Sequence, residues 1–171
     1  MGKLVGSASI LAGCLVLLIR WTESIRQSQN LMREIVRFFR RWEYALETRQ
    51  MRVLDFLTTY PYAEDQLRKL TETVQKELLS HTYPMGQIVW KKALEESRPA
   101  MQLPEEAYQI LLRAGDSFFG TNRMEAMQCI KVCIRQMENT IEEERKSYRE
   151  KRKVYMPVGM LTGVMLVILL L

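Results

Sequence analysis

The chain ends in a stretch of eighteen residues, Val154–Leu171, that contains no charged side chain. At a rise of about 1.5 Å per residue, a helix of this length extends roughly 27 Å, which matches a thin hydrocarbon core. Three cations, Lys151, Arg152 and Lys153, stand directly before it. Because a water-soluble core of this size could not bury such an end, we predict that residues 154–171 form a C-terminal transmembrane helix.

A second uncharged stretch, Leu4–Ile19, lies near the start of the chain, between Lys3 and Arg20. It contains several small residues of the kind that let membrane helices pack closely. A cleaved signal peptide is the alternative, but no small-x-small cleavage site follows the apolar run. We therefore predict a retained N-terminal transmembrane helix over residues 1–21, with Trp21 at the membrane interface.

The charges that flank the two apolar stretches predict the orientation of the chain. Arg20 and four further arginines follow the first stretch within about twenty residues, and six cations precede the second, so both flanks mark the cytoplasmic side. The net charge of +5 raises either nucleic acid or anionic lipid as a partner. The cations crowd the two membrane ends and do not form a separate basic patch with interleaved aromatic residues, so we predict membrane lipids as partners and no nucleic acid.

Apolar residues at intervals of three and four predict helices throughout residues 22–153. The first stripe consists of Leu31, Ile35, Phe38, Trp42 and Leu46. Its charged neighbours, Glu34 among them, are assigned to the solvent faces. Further helices are predicted around Val53–Leu57, around Leu67–Leu78, and around Ile88–Leu94 with its end before Pro99.

Two start signals complete the predicted helices. Pro104, followed by two glutamates, begins a helix that runs towards Gly115. Asn122, with Glu125 three residues later, has the spacing of a capping box and begins one long helix that continues into the terminal span. No alternating run bounded by hairpin turns predicts a sheet. The predicted fold class is all-α: a cytoplasmic bundle of about six helices, residues 22–153, between an N-terminal and a C-terminal transmembrane helix.

Several residues are of types that can take part in catalysis or ligand binding, but a structural role explains each of them more simply. Cys129 and Cys133 lie on one helical face. The soluble part contains no other cysteine and only one histidine, His81, to complete a tetrahedral metal site, so we interpret the two cysteines as packed thiols and predict no metal site. His81 is interpreted as a turn residue, since no nucleophile–base pair can be recognised around it. Gly115 and Gly120 are interpreted as a turn between two helices. We predict no catalytic residues and no cofactor.

Two sets of residues are candidate contact sites. The cluster of Arg33, Arg37, Arg40 and Arg41 occupies one helical side, where either lipid headgroups or an acidic protein surface would bind. Gly159 and Gly163 form a small-xxx-small pair that would allow close packing against another membrane helix. Arg20, Lys151, Arg152 and Lys153 are the predicted membrane-flanking cations.

Three stretches of this chain resemble the stage III sporulation protein AB family of spore-forming bacteria. The first is the short apolar N-terminal stretch that leads to Leu31–Val36 and Ala45–Thr48. The second is Leu111–Gly120, which is similar to the family's paired-glycine segment. The third is Lys151–Tyr155, followed by Gly159 and Gly163 and by the closing run Val167–Leu171.

The resemblance implies a soluble domain similar to the cytoplasmic domains of type II secretion platform proteins. It also implies a place in the mother-cell membrane around the forespore. The expected partners are the stage III sporulation protein AA ATPase and other channel subunits, and self-association is left open. The expected function is that of a non-enzymatic scaffold that couples the ATPase to a channel between mother cell and forespore. The alternative is a two-span membrane adaptor, or oligomerising anchor, unrelated to an ATPase.

Overall fold

The computed structural model describes residues 2–48, 51–80 and 85–170, and the described residues form six α-helices and no strand. The helices are α1 (Gly2–Thr48), α2 (Val53–Thr59), α3 (Asp65–Leu79), α4 (Gly86–Met101), α5 (Glu105–Phe119) and α6 (Arg123–Leu170). The predicted all-α fold class is confirmed. Two compact units are present, one of residues 28–141 and one of residues 1–27 with 142–171.

The unit of residues 28–141 has a core built around aromatic side chains. The ring of Phe38 lies 5.1 Å from that of Phe56, 5.0 Å from that of Tyr60 and 5.5 Å from that of Phe118. Phe118 in turn lies 5.0 Å from the indole of Trp90. These contacts join α1, α2, α4 and α5. Burying each such ring removes a large apolar area from water and contributes about 1.5–3 kcal/mol.

Two glycines allow α4 and α5 to approach each other closely. A Cβ on Gly115 would lie 2.6 Å from Cδ1 of Trp90, and a Cβ on Gly86 would lie 2.2 Å from Cδ1 of Phe119. Each helix therefore supplies one glycine and one aromatic ring. The interpretation of Gly115 as a turn residue is wrong, because this glycine lies inside α5 and only Gly120 stands at its end. The Trp90 ring occupies the space that a side chain would need.

Helix α4 continues past Pro99, contrary to the prediction that it ends before this proline. A proline inside a helix costs about 3 kcal/mol or more, through one lost hydrogen bond and a steric clash. The extra turn carries Met101 into the core, where it is 1% exposed, and that burial offsets much of the cost. The helix ends at Met101, and its C-cap Gln102 has a φ of 48°, in the left-handed region.

The start of α6 follows the predicted capping pattern with one change of partner. The Asn122 side-chain oxygen accepts the Met124 N–H at 3.0 Å, as an N-cap does. Glu125 accepts a hydrogen bond of 3.0 Å from the Asn122 side-chain amide, whereas the usual capping box uses the backbone N–H. The prediction of one helix from this point to the terminal apolar stretch agrees with α6.

The unit formed by residues 1–27 and 142–171 contains the outer parts of α1 and α6. Apolar side chains are exposed there, with Val16 51%, Ile19 49% and Met165 70% exposed. Among the described residues, no helix is both long enough and apolar enough to cross a membrane. The domain boundaries at residues 21/22 and 153/154 stay predictions.

Candidate functional site

The four arginines singled out in the sequence all lie on the solvent side of α1. Arg33, Arg37, Arg40 and Arg41 are exposed, while Ile35, Phe38, Phe39 and Trp42 between and beside them are buried. A helix places residues four apart on one side, one turn above the other. The structure therefore brings these cations together on one strip, which we call the arginine face.

The members of the arginine face differ in what they contact. Arg40 donates a hydrogen bond to the Glu138 carboxylate of α6, so its charge is already matched. The guanidinium of Arg41 lies 6.0 Å from the centroid of the Tyr60 ring, at the outer limit of a cation–π contact. Among the described residues, no carboxylate lies within ion-pair distance of Arg33, Arg37 or Arg41.

A cavity of about 270 Å³ opens beside Arg41, and we call it the α1–α2 groove. It is lined by a cation, two tyrosines, two threonines and three apolar residues. The lining residues are Arg41, Tyr44, Ala45, Thr48, Met51, Phe56, Thr59 and Tyr60. Tyr44 is 63% exposed, which is unusual for a large aromatic residue and places its ring at the rim of the groove.

The wall of the α1–α2 groove is held in place by tyrosines whose phenol groups stay neutral at physiological pH. Burial, and secondarily the Glu34 carboxylate, raises the pKa of Tyr60, although Arg37 and Arg41 oppose the change. Burial also raises the pKa of Tyr62 to about 12. The Tyr62 hydroxyl donates a 2.7 Å hydrogen bond to the Leu57 carbonyl, which anchors the segment after α2.

The side chain of Glu34 also anchors the segment after α2, a role that the sequence analysis did not predict. Its side chain is 1% exposed, and its Oε1 accepts the Ala63 N–H at 2.6 Å. The assignment of Glu34 to a solvent face is therefore wrong. A signal for its burial existed, because it stands three residues after Leu31 and four before Phe38, on the edge of the apolar stripe. The charge obscured that signal.

The two thiols of α6 pack against α5, as predicted. Cys133 is 2% exposed and its Sγ lies 3.8 Å from the Ile110 carbonyl oxygen, while Cys129 Sγ lies 3.6 Å from that of Arg113. Burial raises the pKa of the Cys133 thiol to about 12, and it also raises the pKa of Cys129. Both thiols are therefore protonated, and poor nucleophiles, at neutral pH.

A second cavity, of about 680 Å³, lies where α4, α5 and α6 meet. Its polar groups already satisfy one another: Gln87 donates to Asp116 at 3.2 Å, and Asn122 donates to Glu125. These hydrogen bonds lie at the ends of α4, α5 and α6 and hold the helix ends in place, so we assign this cleft a structural role. In the described part of the chain, no three His, Cys, Asp or Glu residues converge as metal ligands, and His81 lies outside the described residues.

The membrane-flanking candidates and the arginine face belong to different units of the structure. Arg20 lies in α1, and Lys151, Arg152 and Lys153 lie in α6, in the unit of residues 1–27 and 142–171. Arg20, Lys151 and Lys153 are exposed. Gly159 and Gly163 lie one turn apart in α6. These residues stay candidates for lipid and helix contacts.

Comparisons with known proteins agree on one family. The family model described as stage III sporulation protein AB matches residues 3–171. A solved structure titled "Stage III sporulation protein AB (SpoIIIAB)" superposes with a TM-score of 0.61 at 11% sequence identity, covering 72% of this chain and 98% of that one. At this identity the structural likeness bears on the fold alone. No curated protein sequence matches the chain.

Proposed function

Because the chain belongs to the stage III sporulation protein AB family, we propose that it is a platform subunit of the sporulation channel. In this role it is a non-enzymatic scaffold that couples a cytoplasmic ATPase, the stage III sporulation protein AA, to the membrane complex between mother cell and forespore. The bundle of residues 28–141 is the part that the partner contacts, and movement of that bundle is passed on to the ends of α1 and α6.

The arginine face is the observation that carries this proposal. Within the described part of the chain, three cations on one side of a well-packed helix have no carboxylate within ion-pair distance, and they lie beside a groove with an exposed tyrosine and apolar lining residues. Arginine and tyrosine are enriched where protein partners dock. A rigid face of this composition suits a binding role in an assembly.

Membrane attachment through residues 1–21 and 154–171 is part of the proposal. Its support is the pair of uncharged stretches, their flanking cations, and the exposed apolar side chains of Val16, Ile19 and Met165. The flanking cations favour a cytoplasmic bundle in the mother-cell membrane around the forespore. Carbonate extraction of membranes tests this: the full chain should stay in the membrane pellet. With lysines at Leu161 and Val164 the second stretch should no longer insert, because each lysine costs about 2.5–3.5 kcal/mol at the bilayer centre, and residues 1–21 alone should then hold the chain in the pellet.

Flotation of proteoliposomes tests the coupling role. The full chain, reconstituted in vesicles of phosphatidylethanolamine and phosphatidylglycerol, should carry the ATPase to the top of a density gradient in a saturable manner. A variant with all four arginines of the arginine face changed to glutamate should lose this binding. A matched control with Lys69→Glu and Lys91→Glu, which reverses exposed charges on α3 and α4, should retain it.

Absence of ATPase binding to the folded, reconstituted chain would contradict the coupling role. The alternative function, a two-span adaptor or oligomerising anchor without an ATPase, would then replace it. Lipid binding by the arginine face is separated in the same experiment. If the four-arginine variant still carries the ATPase to the top of the gradient, the arginine face does not bind the ATPase, and lipid headgroups become its expected partner.

A further inference from the structure

We propose that the α1–α2 groove and the arginine face beside it dock an acidic segment of a partner protein, and that one apolar side chain of this segment enters the groove. The inference deepens the proposed function, since it names the chemistry that the partner must present. It also stands independently of which partner carries the segment.

The charge pattern specifies the spacing of the acidic residues. Arg33, Arg37 and Arg41 follow at intervals of four residues, which is about 6 Å of helix axis per interval. Carboxylates repeat at similar distances in a helix with acidic residues at i, i+4 and i+8, or at alternate positions of an extended strand. Each contact would be a charge-assisted hydrogen bond to a guanidinium, which is the geometry that arginine favours.

The protein contains an internal example of such a contact. Arg40, on the same side of α1, is matched by Glu138 from α6, although both side chains are substantially exposed, at 63% and 42%. The other three arginines have no such carboxylate among the described residues. An acidic segment from outside would complete the same pattern along the rest of the face.

The α1–α2 groove requires that the partner also present an apolar side chain, which a charged surface alone would not require. Its apolar lining residues are Ala45, Met51 and Phe56, and its volume of about 270 Å³ is several times that of one water molecule. Tyr44 stands exposed at the rim, and Arg41 faces the Tyr60 ring on the wall. Tyrosine and arginine around an apolar pocket are typical of the anchor points of protein interfaces.

A protein segment fits these features better than a membrane surface. Lipid headgroups would satisfy the three cations but leave the apolar pocket between polar walls without an occupant. A segment with carboxylates beside an apolar residue satisfies both. We therefore commit to a protein occupant, and lipid binding is an outcome that the test detects.

Photo-crosslinking identifies the occupant directly. Benzoylphenylalanine is placed at position 44 of the full chain in sporulating cells, and mass spectrometry reads the sequence of the crosslinked peptide. The matched control places it at position 124, where Met124 is 67% exposed on α6. We expect position 44 to capture a segment with at least two acidic residues at the stated spacing and a neighbouring apolar residue.

Charge reversal then tests the role of the cations. Arg37→Glu with Arg41→Glu should lower the crosslink yield roughly tenfold or more, whereas Lys91→Glu should leave it unchanged. Exchanging the captured carboxylates for arginine should restore the yield with the reversed variant. Circular dichroism of each variant confirms that the helices are intact.

Each outcome decides the inference. A crosslink to lipid, a crosslink to a segment without carboxylates, no crosslink at position 44, or a yield unaffected by charge reversal would overturn it. If position 44 captures an acidic segment of another protein and the ATPase does not bind the vesicles, the inference holds and the coupling role fails. If the ATPase binds the vesicles and position 44 captures no acidic segment, the coupling role holds and the inference fails.

Discussion

The indole ring of Trp90 lies in the space that a side chain at position 115 would occupy, with Cδ1 2.6 Å from an ideal Cβ on Gly115. The same indole donates a 2.9 Å hydrogen bond from Nε1 to the Leu111 carbonyl, one turn earlier in α5. Trp90 is 1% exposed and its ring also packs against that of Phe118, 5.0 Å away. This contact fixes how closely α4 and α5 pack.

Replacing Gly115 with alanine should therefore destabilise the protein. In an open helix the change would stabilise by about 0.5–1 kcal/mol, because alanine is the better helix former. Here the added methyl group overpacks a filled site, and we expect a net loss of about 1–3 kcal/mol in the free energy of unfolding. Chemical denaturation of the full chain in detergent measures it. In a Trp90→Leu background the same change should cost less, and equal costs in both backgrounds would contradict this explanation.

Glu34 should stabilise the chain through its hydrogen bond to the Ala63 N–H. Glu34→Ala removes the acceptor and leaves a buried gap, and we expect a loss of about 1–3 kcal/mol. Glu34→Gln keeps an oxygen acceptor and removes a buried charge, so its cost should be smaller. Denaturation midpoints of the two variants check the order. A glutamine variant less stable than the alanine variant would show that the charge itself is required.

The buried Cys133 thiol should make the protein less stable in alkaline solution. Its pKa is about 12 in the folded state against an ordinary value of 9.0, so the folded state holds the proton more tightly than the unfolded state. This contribution is complete below about pH 9 and is lost as the pH rises towards 12. The slope is at most about 1.4 kcal/mol per pH unit. Denaturation as a function of pH should show a shallower decline for Cys133→Ala, and identical slopes would contradict the assignment.

The Asn122 cap should contribute to the stability of α6. Asn122→Ala removes the acceptor of the Met124 N–H and should cost about 1 kcal/mol. Asn122→Ser retains an oxygen acceptor and is the matched control, with an expected change within about 0.5 kcal/mol. Thermal unfolding followed by circular dichroism measures both. Equal losses for the two variants would mean that the cap hydrogen bond is not what stabilises this turn.

The ion pair of Arg40 and Glu138 should matter little for stability, because both side chains are substantially exposed. We expect Arg40→Ala to lower the free energy of unfolding by no more than about 1 kcal/mol. A double-mutant cycle with Glu138→Ala isolates the pair energy. A coupling well above that value, or one insensitive to salt, would indicate a role beyond a surface contact.

Local signals in the sequence predict the helices well. Pro104 before two glutamates, and Asn122 before Glu125, both mark helix starts in the structure. The apolar stripe from Leu31 to Leu46 predicts which side of α1 is buried, and with it the solvent position of the arginines. These features depend on residues within one or two turns of one another, so the sequence contains what determines them.

Features that depend on distant residues could not be predicted in the same way. Glycine inside a helix is locally unfavourable, and only the packing of Trp90, from another helix, explains Gly115 in α5. Glu34 lies on the edge of the apolar stripe, but its hydrogen-bond partner is a backbone amide 29 residues away, which no local pattern indicates. The α1–α2 groove likewise exists only once Tyr60 has been brought beside Arg41. Sequence periodicity identifies the cations but not the cavity next to them.

The two glycine–aromatic contacts between α4 and α5 also have an evolutionary consequence. Gly115 with Trp90, and Gly86 with Phe119, are pairs in which one member leaves the space that the other fills. A larger residue at either glycine position is acceptable only if the facing ring shrinks. In relatives of this protein, positions 115 and 90 should therefore vary together, as should positions 86 and 119, and each pair should conserve its summed side-chain volume more closely than either residue alone.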